Sequence, residues 1–276
     1  MNEKEREELD ALYARMEDLC LRAEKGEAVV SSFLSPREHH YACGYLDRRG
    51  AQYASLGGFA GAERKRLCLL PDYVDLSAEL LRDAEREREC MEALALYGVS
   101  CEICGLRIAG SGYRELTHRD FLGSLLGLGI ERSVLGDIVV EADGTSVCAV
   151  VACDERIRMF IESELQRVGN DKVRITPVEL ATYTPPRREY TPIHDTVASE
   201  RLDCVVAALC NLSREKARAA VCGGLVELNF ESEERPDRTV TPPALISVRG
   251  FGRYRVLALT DRTRKGRIRL EAEQFR

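Results

Sequence analysis

Asp137-Ile138-Val139-Val140-Glu141-Ala142-Asp143-Gly144-Thr145-Ser146-Val147-Cys148-Ala149-Val150-Val151-Ala152 reads as two strands, 137–141 and 146–152, reversed at Asp143-Gly144. The valines and isoleucine suit a buried, pleated surface, and Asp-Gly is a turn dipeptide. Upstream lie a strand at 100–108 and a short helix from Thr117, its N-cap, through 126. Downstream, Asp154 opens a helix to 168 with Ile157, Phe160, Ile161 and Leu165 on one stripe, and a strand at 172–180 follows. The order β-α-β-β-α-β is the split β-α-β, or ferredoxin-like, plan that RNA-recognition domains share. Domains of that type which stack bases place aromatics on the two central strands. Ser100-Cys101-Glu102-Ile103-Cys104-Gly105-Leu106 and residues 146–152 contain none, so the sequence predicts the plan without base stacking.

Outward from this core, a charged helix is predicted at about 78–96. Before it, Leu9, Leu12, Met16, Leu19 and Ala23 recur at helical spacing, and a second helix opens with Ser35 as N-cap, Pro36 at N1 and Glu38 at N3. That helix ends at Gly50, and strand-like runs follow at 52–56 and 66–70. On the other side, Thr184-Pro185-Pro186-Arg187-Arg188-Glu189-Tyr190-Thr191-Pro192 disfavours helix and marks a boundary. Beyond it, Leu202, Val205, Val206 and Leu209 form a one-sided stripe, Ser213 caps a second short helix, and Gly223-Gly224 stop it. Strands are predicted at 226–230, 244–248, 254–259 and 267–271. The chain thus reads as α+β with three small domains: an N-terminal α+β unit at 1–74, the ferredoxin-like βαββαβ domain at 75–182, a proline-rich linker at 183–192 and a terminal domain at 193–276.

The 276 residues carry 40 basic and 46 acidic side chains, a net charge of −6, with 45% apolar residues, enough to build cores. No apolar run approaches the roughly 20 residues that span a bilayer, and the charged start is not a signal peptide. A soluble, cytoplasmic protein without a membrane partner is expected. At face value −6 argues against nucleic acid, but the charge is unevenly distributed. Residues 1–100 carry −6, 101–192 carry −3 and 193–276 carry +3. In the last segment Arg249, Arg253, Arg255, Arg262, Arg264, Lys265, Arg267 and Arg269 are opposed only by Asp261 across 21 residues. Such a cluster is the footprint of phosphate contacts.

Other chemistry is thin. The 11 cysteines are scattered, mostly inside apolar runs, and read as reduced core thiols. Cys101-Glu102-Ile103-Cys104 has no second pair to complete a zinc site, and residues three apart on a strand point to opposite faces. His39-His40 diverge by about 100° on a helix and cannot serve one metal, and His194 is isolated. His118-Arg119-Asp120 echoes a kinase catalytic loop but has Leu125 where that loop needs Asn. Asp120, three residues after Thr117, suits a helix start better than catalysis, which leaves His118 and Arg119 facing outward to RNA or a neighbouring domain. No metal and no cofactor are expected.

The most specific constellation is Arg201-Leu202-Asp203, Ser213-Arg214-Glu215-Lys216-Ala217-Arg218 and Gly223-Gly224-Leu225-Val226-Glu227-Leu228-Asn229. Arg214 and Arg218 are one helical turn apart and can grip successive phosphates of one backbone. Gly224 permits the turn into a strand, and Asn229 tolerates a tight turn after it.

Residues 199–250 resemble the RNA-binding module of small-subunit ribosomal protein S-four, which recurs in pseudouridine synthases and tyrosyl-tRNA synthetases. With Gly57-Gly58, Ala62-Glu63-Arg64-Lys65, Leu116-Thr117-His118-Arg119-Asp120-Phe121-Leu122-Gly123-Ser124-Leu125-Leu126-Gly127-Leu128-Gly129-Ile130 and Gly136-Asp137-Ile138, the chain resembles the YlmH family over nearly its whole length. The resemblance implies a ribosome-associated quality-control factor whose S-four-type terminal domain sits on large-subunit rRNA beside P-site peptidyl-tRNA. It implies support of carboxy-terminal alanine tailing of the stalled peptide, with the alanine-tailing factor as a further partner. By motif, Arg201 and Arg214 are the central RNA contacts, with Lys216 and Arg218 supporting. Ser213 and the basic stretch Arg249, Arg253, Arg255, Arg264, Lys265 and Arg267 complete the expected RNA-binding set. The expected protein is a non-enzymatic monomer. Two alternatives are an rRNA-modifying enzyme such as a pseudouridine synthase, against which the only Arg-Leu-Asp belongs to the module itself, and a protein-interaction adaptor that uses the acidic first segment.

Overall fold

Leu12, Met16 and Ala23, spaced by helical turns, are buried on one side of helix α1 (Glu3–Ala23). Strand β1 (Val29–Val30) and helix α2 (Pro36–Arg49) follow. The Ser35 hydroxyl accepts the Glu38 N–H at 3.3 Å while Glu38 accepts the Ser35 N–H at 2.8 Å, and Gly50 ends the helix at φ 72°. A cap of this kind contributes about 1 kcal/mol. Strands β2 (Tyr53–Leu56) and β3 (Arg66–Leu69) join β1 in an antiparallel sheet of order β1-β3-β2. Both are buried on both faces. Tyr53, Leu67 and Leu69 pack with α1 and α2, and Ala54, Leu56 and Cys68 pack on the other side. That side is covered by α3 (Ala78–Arg82) and α4 (Glu87–Leu96) through Leu81, Cys90 and Leu94. The single helix predicted at 78–96 is therefore two. Asp83 breaks it by leaving helical geometry at ψ 112° and accepting the Glu85 N–H.

The computed structural model describes residues 3–143, 146–186, 190–263 and 266–275, and the chain divides into two compact units, Lys4–Pro186 and one built on Arg187–Arg276. Within the first, the boundary drawn at 74/75 runs through the shared core just described. Next in this unit come β4 (Ile103–Gly110), α5 (His118–Gly127), β5 (Leu135–Asp143), β6 (Ser146–Asp154), α6 (Arg158–Glu164), β7 (Arg167–Val168) and β8 (Asp171–Val178). Their sheet has the order β5-β6-β4-β8-β7 with antiparallel neighbours, so β5-β6-β4-β8 follows the split β-α-β order. Leu106, Ile108, Ala149 and Val151 face α5 and α6. The first strand starts at Ile103 rather than 100 because Glu102 has a left-handed φ of 50°. The helix predicted to reach 168 stops at Glu164, since Val168 pairs with Asp171 across a two-residue Gly169-Asn170 turn. Phe160, expected in its core stripe, is 45% exposed.

The Gly57-Gly58 and Glu63-Arg64-Lys65 motifs, with Arg66 beside them, hold this unit together. Arg66, 2% exposed, donates to Ser31 O, Glu102 O and Asp154 Oδ2. Arg64 donates to Phe33 O, Arg132 O and Leu135 O, while Asp137 accepts the N–H groups of Glu63 and Arg64. Glu87, 1% exposed, accepts the Gly57 and Gly58 N–H groups and pairs with Lys65 at 3.2 Å. Burial pushes its carboxyl above the usual range, against the pull of Lys65 and of the two backbone donors.

The second unit is a six-stranded sheet of order β11-β10-β12-β13-β14-β9 with two helices on one face. Its elements are β9 (Tyr190–Val197), α7 (Leu202–Leu209), α8 (Arg214–Cys222), β10 (Val226–Leu228), β11 (Glu231–Ser232), β12 (Ala244–Val248), β13 (Gly252–Arg262) and β14 (Ile268–Phe275). Tyr190–Pro192, read as linker, belong to β9, and residues 187–189 of that linker lie outside the described residues. Proline is tolerated because β9 is an edge strand. Leu202, Val205, Ala217, Val221, Ile246, Tyr254 and Leu270 form its core. Gly224 and Asn229 adopt left-handed φ of 67° and 51°, and Asn229 Oδ1 accepts the Leu245 N–H.

Candidate nucleic-acid interface

Arg201 is the boundary residue before α7, its side chain making no cap, and Asp203 occupies the first turn with 1% exposure. The Arg201 guanidinium is bidentate on that carboxylate, Nε to Oδ1 at 3.0 Å and Nη2 to Oδ2 at 3.1 Å. From the start of α8, Arg214 Nε reaches Oδ2 of the same carboxylate at 3.4 Å. One buried anion thus binds two cations that remain partly exposed. Burial pushes the Asp203 carboxyl up, but the hydrogen bonds from Arg201 and Cys204 and the charges of Arg201 and Arg214 outweigh it, so the carboxyl sits below its ordinary value. Ser213 caps α8 by accepting the Lys216 N–H at 3.3 Å, and Ser213, Arg214, Lys216 and Arg218 are all exposed. Arg214 and Arg218, four residues apart, share one side of the helix. The arrangement offers two guanidiniums pre-set by a common carboxylate, suited to phosphate oxygens. In the sequence Asp203 stands within the Arg201-Leu202-Asp203 motif. Its signal was an acid in the first helical turn two residues after an arginine, the residue type that a helix N-terminus favours.

Within the basic stretch 249–269, Arg253 and Arg255 do not gather with these residues. Tyr254 and Val256 point into the core beneath α7 and α8, so Arg253 and Arg255 point from the opposite face of the sheet. There Arg253 lies 4.4 Å from the Phe275 ring centroid, and Arg255 lies 5.2 Å from Phe275 and 5.6 Å from Tyr190. Arg249 is exposed beside the β12–β13 turn. Arg267 is tied to Thr196 on β9, donating to its hydroxyl at 2.8 Å and to its carbonyl. Arg264 and Lys265 lie outside the described residues.

In the other unit, His118 and Arg119 are exposed at the start of α5. Partial desolvation of its ring and the Arg132 charge pull the His118 pKa down, against Asp137. Asp120 is committed to the helix start: it accepts the Thr117 N–H at 2.8 Å and hydroxyl at 2.7 Å, and pairs with Arg114 at 3.1 Å. Cys101 and Cys104 enter different environments. Cys101 is buried with Cys68 and Cys90 in one core, and Cys104 Sγ lies 3.4 Å from Cys153 Sγ at another. All eleven thiols are free. Among the described residues no group of His, Cys, Asp and Glu side chains could hold a metal ion, and no helix is long and apolar enough to cross a membrane.

Comparison with known proteins places this α+β chain, with its paired guanidiniums, among proteins carrying a named domain. Residues 106–182 match the family model described as "Putative RNA-binding domain in YlmH". The chain is 30% identical over 245 residues, 89% of its length and 86% of the relative's, to the ribosome-associated protein quality control protein P2 of Bacillus subtilis (strain 168). The chain belongs to the YlmH family. A solved structure, the cell division protein ylmH from Streptococcus pneumoniae, is 21% identical with a TM-score of 0.43 and covers 64% of this chain and 93% of its own.

Proposed function

We propose that this protein is a ribosome-associated RNA-binding factor that acts without catalysis in the quality control of stalled nascent chains. The observation that carries the reading is the Arg201–Asp203–Arg214 arrangement, two partly exposed guanidiniums held by one buried carboxylate. Residues 193–276 act as the S-four-type domain on large-subunit rRNA and P-site peptidyl-tRNA, with Lys216 and Arg218 extending the contact along α8. The N-terminal α+β part and the ferredoxin-like part act together as the one unit Lys4–Pro186, and the protein works as a monomer beside the factor that adds alanine. The name of the Bacillus subtilis relative and the RNA-binding description of the matched domain support this assignment.

Sedimentation tests it. Arg201→Ala/Arg214→Ala should no longer travel with large subunits on a sucrose gradient, while its circular dichroism spectrum stays that of the wild type. Unchanged co-sedimentation of the folded variant refutes the assignment.

A further inference from the structure

The two faces of the five-stranded sheet in the Lys4–Pro186 unit have different covers. One lies under α5 and α6. On the other, Val150 and Ala152 lie under Phe59, Ala62 and Leu180. The second cover is partial. Val168, Val173 and Ile175 pack on the helix side, so alternation along β7 and β8 sends Arg167, Lys172 and Arg174 to the second face. All three are exposed, and none has an ion-pair partner among the described residues.

Register sets Arg167 directly opposite Lys172 across β7–β8. Like charges in that position destabilise a sheet, and a bound anion removes the penalty. Arg174 stands two residues beyond Lys172, about 7 Å along the strand, a spacing comparable to that of successive phosphates on one nucleic-acid strand. Residues 4–186 hold 23 basic and 32 acidic side chains, a net charge of −9, so an unneutralised cationic row is a local exception on this unit. None of the five strands carries an aromatic side chain, and Tyr183 is held against Phe59 and Glu141.

We infer that Arg167, Lys172 and Arg174 bind the phosphate backbone of RNA, so that the ferredoxin-like sheet reads charge and spacing on the face where stacking domains read bases. The inference rests on the RNA-binding reading above and adds a second surface to it, on the other unit from Arg201 and Arg214.

The test uses the full chain and a fluorescently labelled fragment of large-subunit rRNA, titrated by anisotropy over a range of potassium chloride concentrations. Arg167→Ala/Lys172→Ala/Arg174→Ala should weaken binding and reduce the slope of log affinity against log salt by about 2–3, as three lost phosphate contacts require. Lys172→Glu, a single exposed charge reversal, serves if the triple variant does not fold, and should weaken binding in the same direction. Full affinity and slope in these variants, with loss in Arg201→Ala/Arg214→Ala, overturns the second surface alone. Absence of RNA binding by the wild type overturns both readings. Binding of polyglutamate that disappears in the triple variant, with RNA binding untouched, assigns the row to an acidic protein and overturns the inference.

Discussion

Arg66 on β3 and Asp154 at the end of β6 meet at 2.9 Å with side chains 3% and 1% exposed, a buried ion pair between the two sheets of one unit. Arg156 completes the Asp154 carboxylate from the solvent side, at 2.9 and 2.6 Å. Removing one partner of such a pair strands a buried charge. Asp154→Asn should therefore cost about 3–5 kcal/mol, whereas Arg66→Met/Asp154→Leu should cost less than the two single changes summed. Urea unfolding followed by circular dichroism measures both, and additive effects would contradict the pairing.

His39 supplies a pH dependence. Burial, aided by the charges of Lys65 and His40, lowers its pKa to about 4, and its Nε2 lies 2.6 Å from Ser55 Oγ. An imidazole whose folded pKa is below its unfolded value near 6.5 binds fewer protons in the native state. Its contribution is complete above pH ~6.5 and is lost as pH falls towards 4, amounting to about 3 kcal/mol. His39→Gln should flatten stability across that window. Urea midpoints at several pH values decide it.

Gly57 has no room for a side chain. An added Cβ would stand 2.3 Å from Ala62 Cβ and 2.9 Å from Arg64 O, contacts that no rotamer relieves. Gly57→Ala should destabilise by about 1–3 kcal/mol or more. Gly123, inside α5 with nothing within 4 Å, is the control, and Gly123→Ala should raise stability by about 0.5–1 kcal/mol. Thermal melting of the two variants should move in opposite directions.

Asp203 should act on RNA through its neighbours. Asp203→Asn leaves both guanidiniums in place but releases their common anchor, so affinity should fall several-fold while the salt slope stays that of the wild type. Arg201→Ala removes a phosphate contact and should reduce the slope by about 1. Equal slopes in the two variants would show that Asp203 does not act by positioning.

Local chemistry was legible in the sequence. Ser35-Pro36 with Glu38 and Gly50 announced both ends of α2, and Thr117 with Asp120 announced the start of α5. Pairings that close over long separations were not. The strand β9 hides in a proline-rich stretch because its partner, β14, lies at the far end of the chain. The split of 78–96 into two helices turns on one aspartate whose side chain serves a turn. For the interface, the arginines were visible as a cluster, but their division between two faces of a sheet follows from alternation about Tyr254, which has meaning only once the strand and its buried side are fixed. The Gly57-Gly58 and Arg64-Lys65 motif gave no sign of its work, since its acceptors, Glu87 and Asp137, are remote in sequence.

The pairing of β9 with β14, Val197 to Ile268 through Tyr190 to Phe275, sets an order of events during synthesis. Among the described residues β14 is the sheet neighbour of β9, the first strand of this unit, so β9 stays unpaired until every other strand of the sheet has been made. A sheet whose first strand waits for so distant a partner closes late in the folding of its unit.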